Sequence, residues 1–227
     1  MRKEEAKAIG DILRAIPDAA VAPLLNIGSS TLYYRTVSQP HIDREIFEPL
    51  RMRGLTVIHS DIKAQDGVDL VGDIFDPTFA ENLRARKPRC ILCSNVLEHV
   101  PDVDVFTAKL NEIADVETFL LLTVPYSYPL HLDPIDNRFR PTPHEIAQKF
   151  KGTTLINGQI IESGRYIDEL KKLPFKPLLK MLLKSAILFW VPFYKYDQWK
   201  NRFHRYLWLF KRYSVSLALL QKTTSND

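Results

Sequence analysis

Five short apolar runs, each followed by a loop and most of them by a helical pattern, constrain this chain more than any other feature. They lie in AVAPLLNIGSS (20–30), LTVIHSDI (55–62), VDLVGDI (68–74), PRCILCSNVLEHV (88–100) and ETFLLLTVP (117–125). Strands that are apolar almost throughout belong to a parallel sheet buried on both faces. Between them lie helical stretches at 3–16, 41–54, 76–86 and 104–114. The first stops at Pro17, the second is closed by Gly54, and the third opens on Asp76-Pro77 as N-cap and first helical position. Thr142-Pro143-His144-Glu145 is a capping box that starts a later helix. TLINGQII (154–161) and YSVSLALLQK (213–222) supply two late strands at one edge. The expected fold is α/β, with a mostly parallel seven-stranded sheet and helices on both faces.

Composition removes several classes. With 227 residues, 45% of them hydrophobic and 26% charged, the chain is neither a disordered tail, a fibre nor a disulfide miniprotein. One domain spanning 1–227 is expected. Its two cysteines, Cys90 and Cys93, build no disulfide framework, which suits a reducing compartment. Three apart on a strand, they point to opposite faces, as core residues rather than a metal pair. The opening MRKEEAKAIGDILRAIP lacks the apolar core of a signal peptide, so a cytoplasmic location is expected. No Gly-x-x-x-x-Gly-Lys loop or serine-centred nucleophile elbow occurs, which removes P-loop enzymes and serine hydrolases.

Open parallel sheets bind ligands beyond the carboxyl ends of their strands. After the first strand comes Asn26-Ile27-Gly28-Ser29-Ser30, where Gly28 allows close approach of backbone to a ligand. After the second comes Asp61, a carboxylate that can accept both hydrogen bonds of a ribose diol. After the third comes Asp73, which can accept from an adenine amino group. Alone, the Gly28 loop reads more readily as an ordinary strand-to-helix turn, Asp61 equally as a solvated loop acid and Asp73 equally as a helix-start acid. Together they form one rim suited to an adenosine.

The stretch Leu24 to Gly28, Asp61, VDLVGDIFD, CILCSNVLEHVPD and LLLTVP resembles the class I S-adenosylmethionine-dependent methyltransferases. The similarity covers about residues 20–150. It is greatest to the small-molecule branch with Leu-Glu-His-Val after the fourth strand, here Leu97-Glu98-His99-Val100. The resemblance implies a Rossmann-like fold whose late strands form an antiparallel edge, and S-adenosylmethionine as cofactor. It implies that Asn26, Gly28 and Ser30 contact the methionine part, Asp61 the ribose and Asp73 the adenine, with Asn95 and Val96 on the sulfonium side. The family's first loop runs acid-x-Gly-x-Gly-x-Gly; here Asn26 replaces the acid, Gly28 alone remains and Ser30 stands for a glycine. A non-catalytic scaffold or binding module with this fold therefore stays open as the alternative. A nicotinamide dehydrogenase is remote, since no Gly-x-Gly-x-x-Gly loop occurs.

Methyl transfer from a sulfonium relies on positioning, with a base for an oxygen or amine acceptor. The candidates lie in the long loop after the fifth strand. His131 is the candidate base, Asp133 its orienting partner, and Tyr126 or Arg140 the group holding substrate. His99 reads as a capping or packing residue before Pro101.

The net charge of +4 hides an asymmetry. Residues 171–213 hold 11 Lys and Arg against the single acid Asp197, and all three tryptophans. Its uncharged run, 185–193, is too short for the ~20 residues that span a bilayer. Trp190 would suit an interfacial anchor, and Trp199, Phe203, Tyr206, Leu207 and Phe210 fall on one helical stripe. Two readings remain: a helical insertion packed on its own domain, or attachment to an anionic membrane surface. Nucleic acid is disfavoured, since no recognised binding module accompanies the charge. The expected acceptor is a small molecule, with a glycan or lipid-linked precursor near a membrane as the finer guess.

Overall fold

The computed structural model describes residues 1–130, 135–189, 196 and 203–224. Seven strands form one sheet in the order β3-β2-β1-β4-β5-β7-β6. They are β1 (Leu24–Ile27), β2 (Val57–Asp61), β3 (Leu70–Val71), β4 (Cys90–Ser94), β5 (Phe119–Ser127), β6 (Thr153–Arg165) and β7 (Arg212–Lys222). The first five are parallel, and β7 runs antiparallel between β5 and β6. The order reverses at β1, which places the loops after β1 and β4 side by side, the arrangement that opens a crevice in such sheets.

The two faces carry separate cores. On one, helix α1 (Lys3–Ala15) and the helical stretch 40–52 cover Leu24, Cys90 and Leu92 through Ile9, Leu13, Ile46 and Leu50. On the other, the helices Pro77–Ala85, Val103–Ile113 and Pro143–Gln148 cover Leu25, Ile91 and Cys93 through Leu83, Leu110 and Ile146. Cys90 and Cys93 thus enter opposite cores as strand alternation requires, and burial pushes both thiols up.

Local chemistry sets the helix starts. Asp76 accepts from Thr78 N, and Thr142 exchanges bonds with Glu145 in the capping box. Gly54 closes the 40–52 stretch at φ +70°. The third strand is far shorter than the run 68–74. The Asp69 carboxylate takes the His59 N–H at 2.7 Å, where a longer ladder would use a backbone carbonyl.

The basic aromatic part contains the helix Phe175–Phe189 and a short turn of helix at 203–206. Among the described residues no helix is long and apolar enough to cross a membrane. Among the described residues 203–210 the expected stripe does not form a single face. Helix ends at Tyr206, Leu207 and Phe210 are exposed, and buried Trp208 packs instead with Tyr166 and Tyr213. Trp190 and Trp199 lie outside the described residues.

Candidate functional site

A cavity of about 1510 Å³ opens at the carboxyl ends of β1, β2 and β4. The loop after β1 enters it in an unusual conformation, with Gly28 at φ +69° and Ser30 at φ +55°. A Cβ on Gly28 would lie 2.4 Å from Val96 Cγ2, so the β1 and β4 loops approach too closely for any side chain there. Ser30 occupies the left-handed region that favours glycine. It is held by its N–H donating to Asp61 Oδ2 at 2.8 Å and its carbonyl accepting from Arg35 at 2.6 Å. Arg35, only 3% exposed, also donates to the carbonyls of Ser29 and Gly67 and so straps the loop from beneath.

Asp61 also accepts from Lys63 N at 3.1 Å, and Asp73 from Phe75 N at 3.0 Å. An ionised carboxylate has about four lone-pair sites, so both keep acceptor capacity toward the cavity. Ile62, Phe75, Phe79 and Val96 line the same cavity and give it apolar surface. Asn26 is buried, its side-chain amide 3.0 Å from His59 Nδ1. Burial pushes the His59 pKa down to about 4, so the ring is neutral and accepts the amide N–H.

The floor is built by a long-range network. Asn95, at φ +54°, donates its amide to Glu5 Oε1 at 2.7 Å, and Thr123 Oγ1 donates to the same oxygen at 2.7 Å. Glu5 belongs to α1 and is 1% exposed, which lays the first turn of that helix across the rim. Nearby Glu98 is fully buried at the cavity wall. Among the described residues, neither of its carboxyl oxygens has a hydrogen-bond partner. Burial pushes its pKa up to about 8, so it is chiefly neutral at pH 7. His99 Nδ1 donates to the Ile135 carbonyl at 2.5 Å, which ties the turn after β4 to the segment that follows β5. On the opposite side Arg2 pairs with Glu169 at 2.5 Å and lies 4.0 Å over the Tyr213 ring. Tyr128, Lys172 and Arg205 complete that side.

No protein-family model matches the chain, and no curated protein matches it in sequence. Solved structures do. The MccD protein aligns over 96% of this chain and 98% of its own, at 13% identity and a TM-score of 0.56. The [4+2]-cyclase SpnF aligns over 96% and 82%, at 11% identity and 0.50. Coclaurine N-methyltransferase, solved with N-methylheliamine and S-adenosylhomocysteine, aligns over 96% and 71%, at 15% identity and 0.46.

The chain has the Rossmann-like methyltransferase fold.

Within this methyltransferase fold, Asn26, Gly28, Ser30, Asp61, Asp73, Asn95 and Val96 all line the one cavity. Tyr126 does not. A register shift between Pro125 and Ser127 leaves Tyr126 as the bulged residue, 38% exposed, while Pro125 and Tyr128 line the cavity instead. Arg140 is not at the cavity either; it is paired with buried Asp136 at 2.6 Å. His131 and Asp133 lie outside the described residues. Sequence reasoning missed Glu5 and Arg35, whose partners are remote or backbone. It also passed over Glu98, although the Leu97-Glu98-His99-Val100 segment contained it.

Proposed function

We propose that this protein binds S-adenosylmethionine at the carboxyl rim and transfers its methyl group to a small-molecule acceptor. The observation that carries the reading is the convergence of the Gly28–Ser30 turn, Asp61, Asp73 and the Asn95–Val96 turn on one cavity. The residues fit the cofactor: the left-handed turn at Gly28 and Ser30 lies along the cavity with Val96 packed against it, and Asp61 retains free lone pairs.

When bound, the cofactor supplies a methyl group activated by positive sulfur. The chain's part is positioning. Asp61 accepts from the ribose diol and Asp73 from the adenine amino group, while Asn26, Gly28 and Ser30 hold the methionine part. Asn95 and Val96 flank the sulfonium, and Glu5, tied to Asn95, sets a buried acid beside them. His131, oriented by Asp133, takes the acceptor's proton, and Tyr128 rather than Tyr126 holds the acceptor. A glycan or lipid-linked precursor is the acceptor class that suits the basic part, with the protein in the cytoplasm at a membrane's inner face.

A second reading is a fold-bearing scaffold that does not methylate. It is favoured by the loss of glycines after β1, and a [4+2]-cyclase with this fold illustrates that fold alone does not set activity. Calorimetric titration of the wild type with S-adenosylmethionine, with NAD as control, separates the two. Saturable binding of the first alone is expected; absence of binding would favour the scaffold.

A further inference from the structure

The helix Phe175–Phe189 presents two different faces. Its inner face is fixed to the domain: Tyr206 O–H donates to Ser185 Oγ at 2.6 Å, and Tyr166 O–H to Met181 Sδ at 3.5 Å. Its outer face is apolar and exposed, with Phe175, Leu179, Leu182 and Leu183 exposed by 76%, 43%, 49% and 56%. Their i, i+4, i+7, i+8 spacing puts all four on one side. Beside them Lys176, Lys180 and Lys184 repeat every four residues, all exposed and, among the described residues, in no ion pair. Residues 171–196 contain six lysines and no acid.

A soluble surface seldom leaves such apolar residues contiguous beside unpaired like charge. A helix lying in a lipid interface needs both, one face for the acyl boundary and lysines for the headgroups. We infer that the outer face of Phe175–Phe189 docks on an anionic lipid bilayer. Charge selects this occupant: three unpaired lysines in line with the apolar stripe match a negatively charged, apolar-cored surface. Lys172 and Arg205, on either side of this helix in the chain, line the cavity, so docking brings its mouth close to the headgroups. That consequence for the acceptor rests on the methyltransferase reading; the docking itself does not.

The test is co-sedimentation of the full chain with phosphatidylglycerol/phosphatidylcholine vesicles and with phosphatidylcholine alone. Three proteins are compared: wild type, Lys176→Gln/Lys180→Gln/Lys184→Gln, and Phe175→Ser/Leu182→Ser/Leu183→Ser. The changed residues are exposed, and circular dichroism checks that each variant folds. Wild type should bind anionic vesicles far more tightly than neutral ones. The lysine variant should lose roughly a hundredfold in affinity, from about 1 kcal/mol for each lysine near the surface. The serine variant should lose binding at high salt, where screening leaves only insertion. Negligible binding to both vesicles, or anionic binding that neither triple variant alters, would overturn the inference. So would binding to single-stranded RNA that matches the vesicles and survives the serine changes, which would mark a general polyanion surface. Calorimetry with S-adenosylmethionine on the same variants should be unchanged, which separates failure of docking from failure of the methyltransferase reading.

Discussion

The carboxylate of Asp61 accepts the backbone N–H of Ser30 at 2.8 Å, which ties the end of β2 to the turn after β1. Asp61 therefore does two things at once: it shapes the loop that lines the cavity and offers its remaining lone pairs to the proposed cofactor. The same bond explains how serine stands where a glycine would be easier. The left-handed conformation costs an ordinary residue about 1–2 kcal/mol, and charge-assisted hydrogen bonds from and to its peptide offset it.

Ser30→Gly should therefore be tolerated. Relief of the φ strain is opposed by the added freedom of glycine in the unfolded chain, so stability should change by less than about 1 kcal/mol. Ser30→Val, branched at a φ of +55°, should cost about 2 kcal/mol and weaken cofactor binding. Urea denaturation of both variants checks this; equal stability of the two would mean that the turn is not held left-handed.

Gly28 makes a sharper case. Gly28→Ala combines a left-handed φ with a collision against Val96 Cγ2, and should cost about 2–3 kcal/mol. Adding Val96→Ala should recover the steric part and leave the backbone part. A double-mutant cycle in urea measures the coupling. Strict additivity would show that the two loops are not in contact there.

Glu98 predicts a pH dependence. With its folded pKa pushed up to about 8 from 4.5, the carboxyl is neutral in both states below pH 4.5. Between the two values the unfolded chain releases a proton that the folded chain keeps, so stability falls as pH rises, and the loss is complete above about 8. Glu98→Gln removes that loss. Its stability relative to wild type should grow between pH 5 and 9 by on the order of 4 kcal/mol. A constant difference in thermal denaturation across that range would contradict a neutral buried acid.

Much of this was legible in the sequence because short-range chemistry set it. Asp76 capping Thr78 N, the Thr142–Glu145 box and the apolar strand runs are local signals, and they gave the element order and the rim. Other features had no local trace. Glu5 meets Asn95 and Thr123 across 90 and 118 residues, so nothing near it in the chain announces the contact. In the sequence Tyr126 reads as the start of the loop after the fifth strand, but β5 runs on to Ser127 and a bulge there leaves Tyr126 exposed. The stripe at 203–210 obeyed helical spacing, but the helix stops at Tyr206 and Trp208 is the residue buried.

The most direct measurement is calorimetric titration of S-adenosylhomocysteine into wild type and Asp61→Ala, side by side. Asp61 stands between the β1 turn and the proposed ribose, so its loss removes a charged acceptor and a loop contact together. Wild type should bind saturably, and the variant should lose about 1.5–3 kcal/mol, roughly ten- to a hundredfold. Equal affinity of the two proteins would contradict a cofactor seated at this rim.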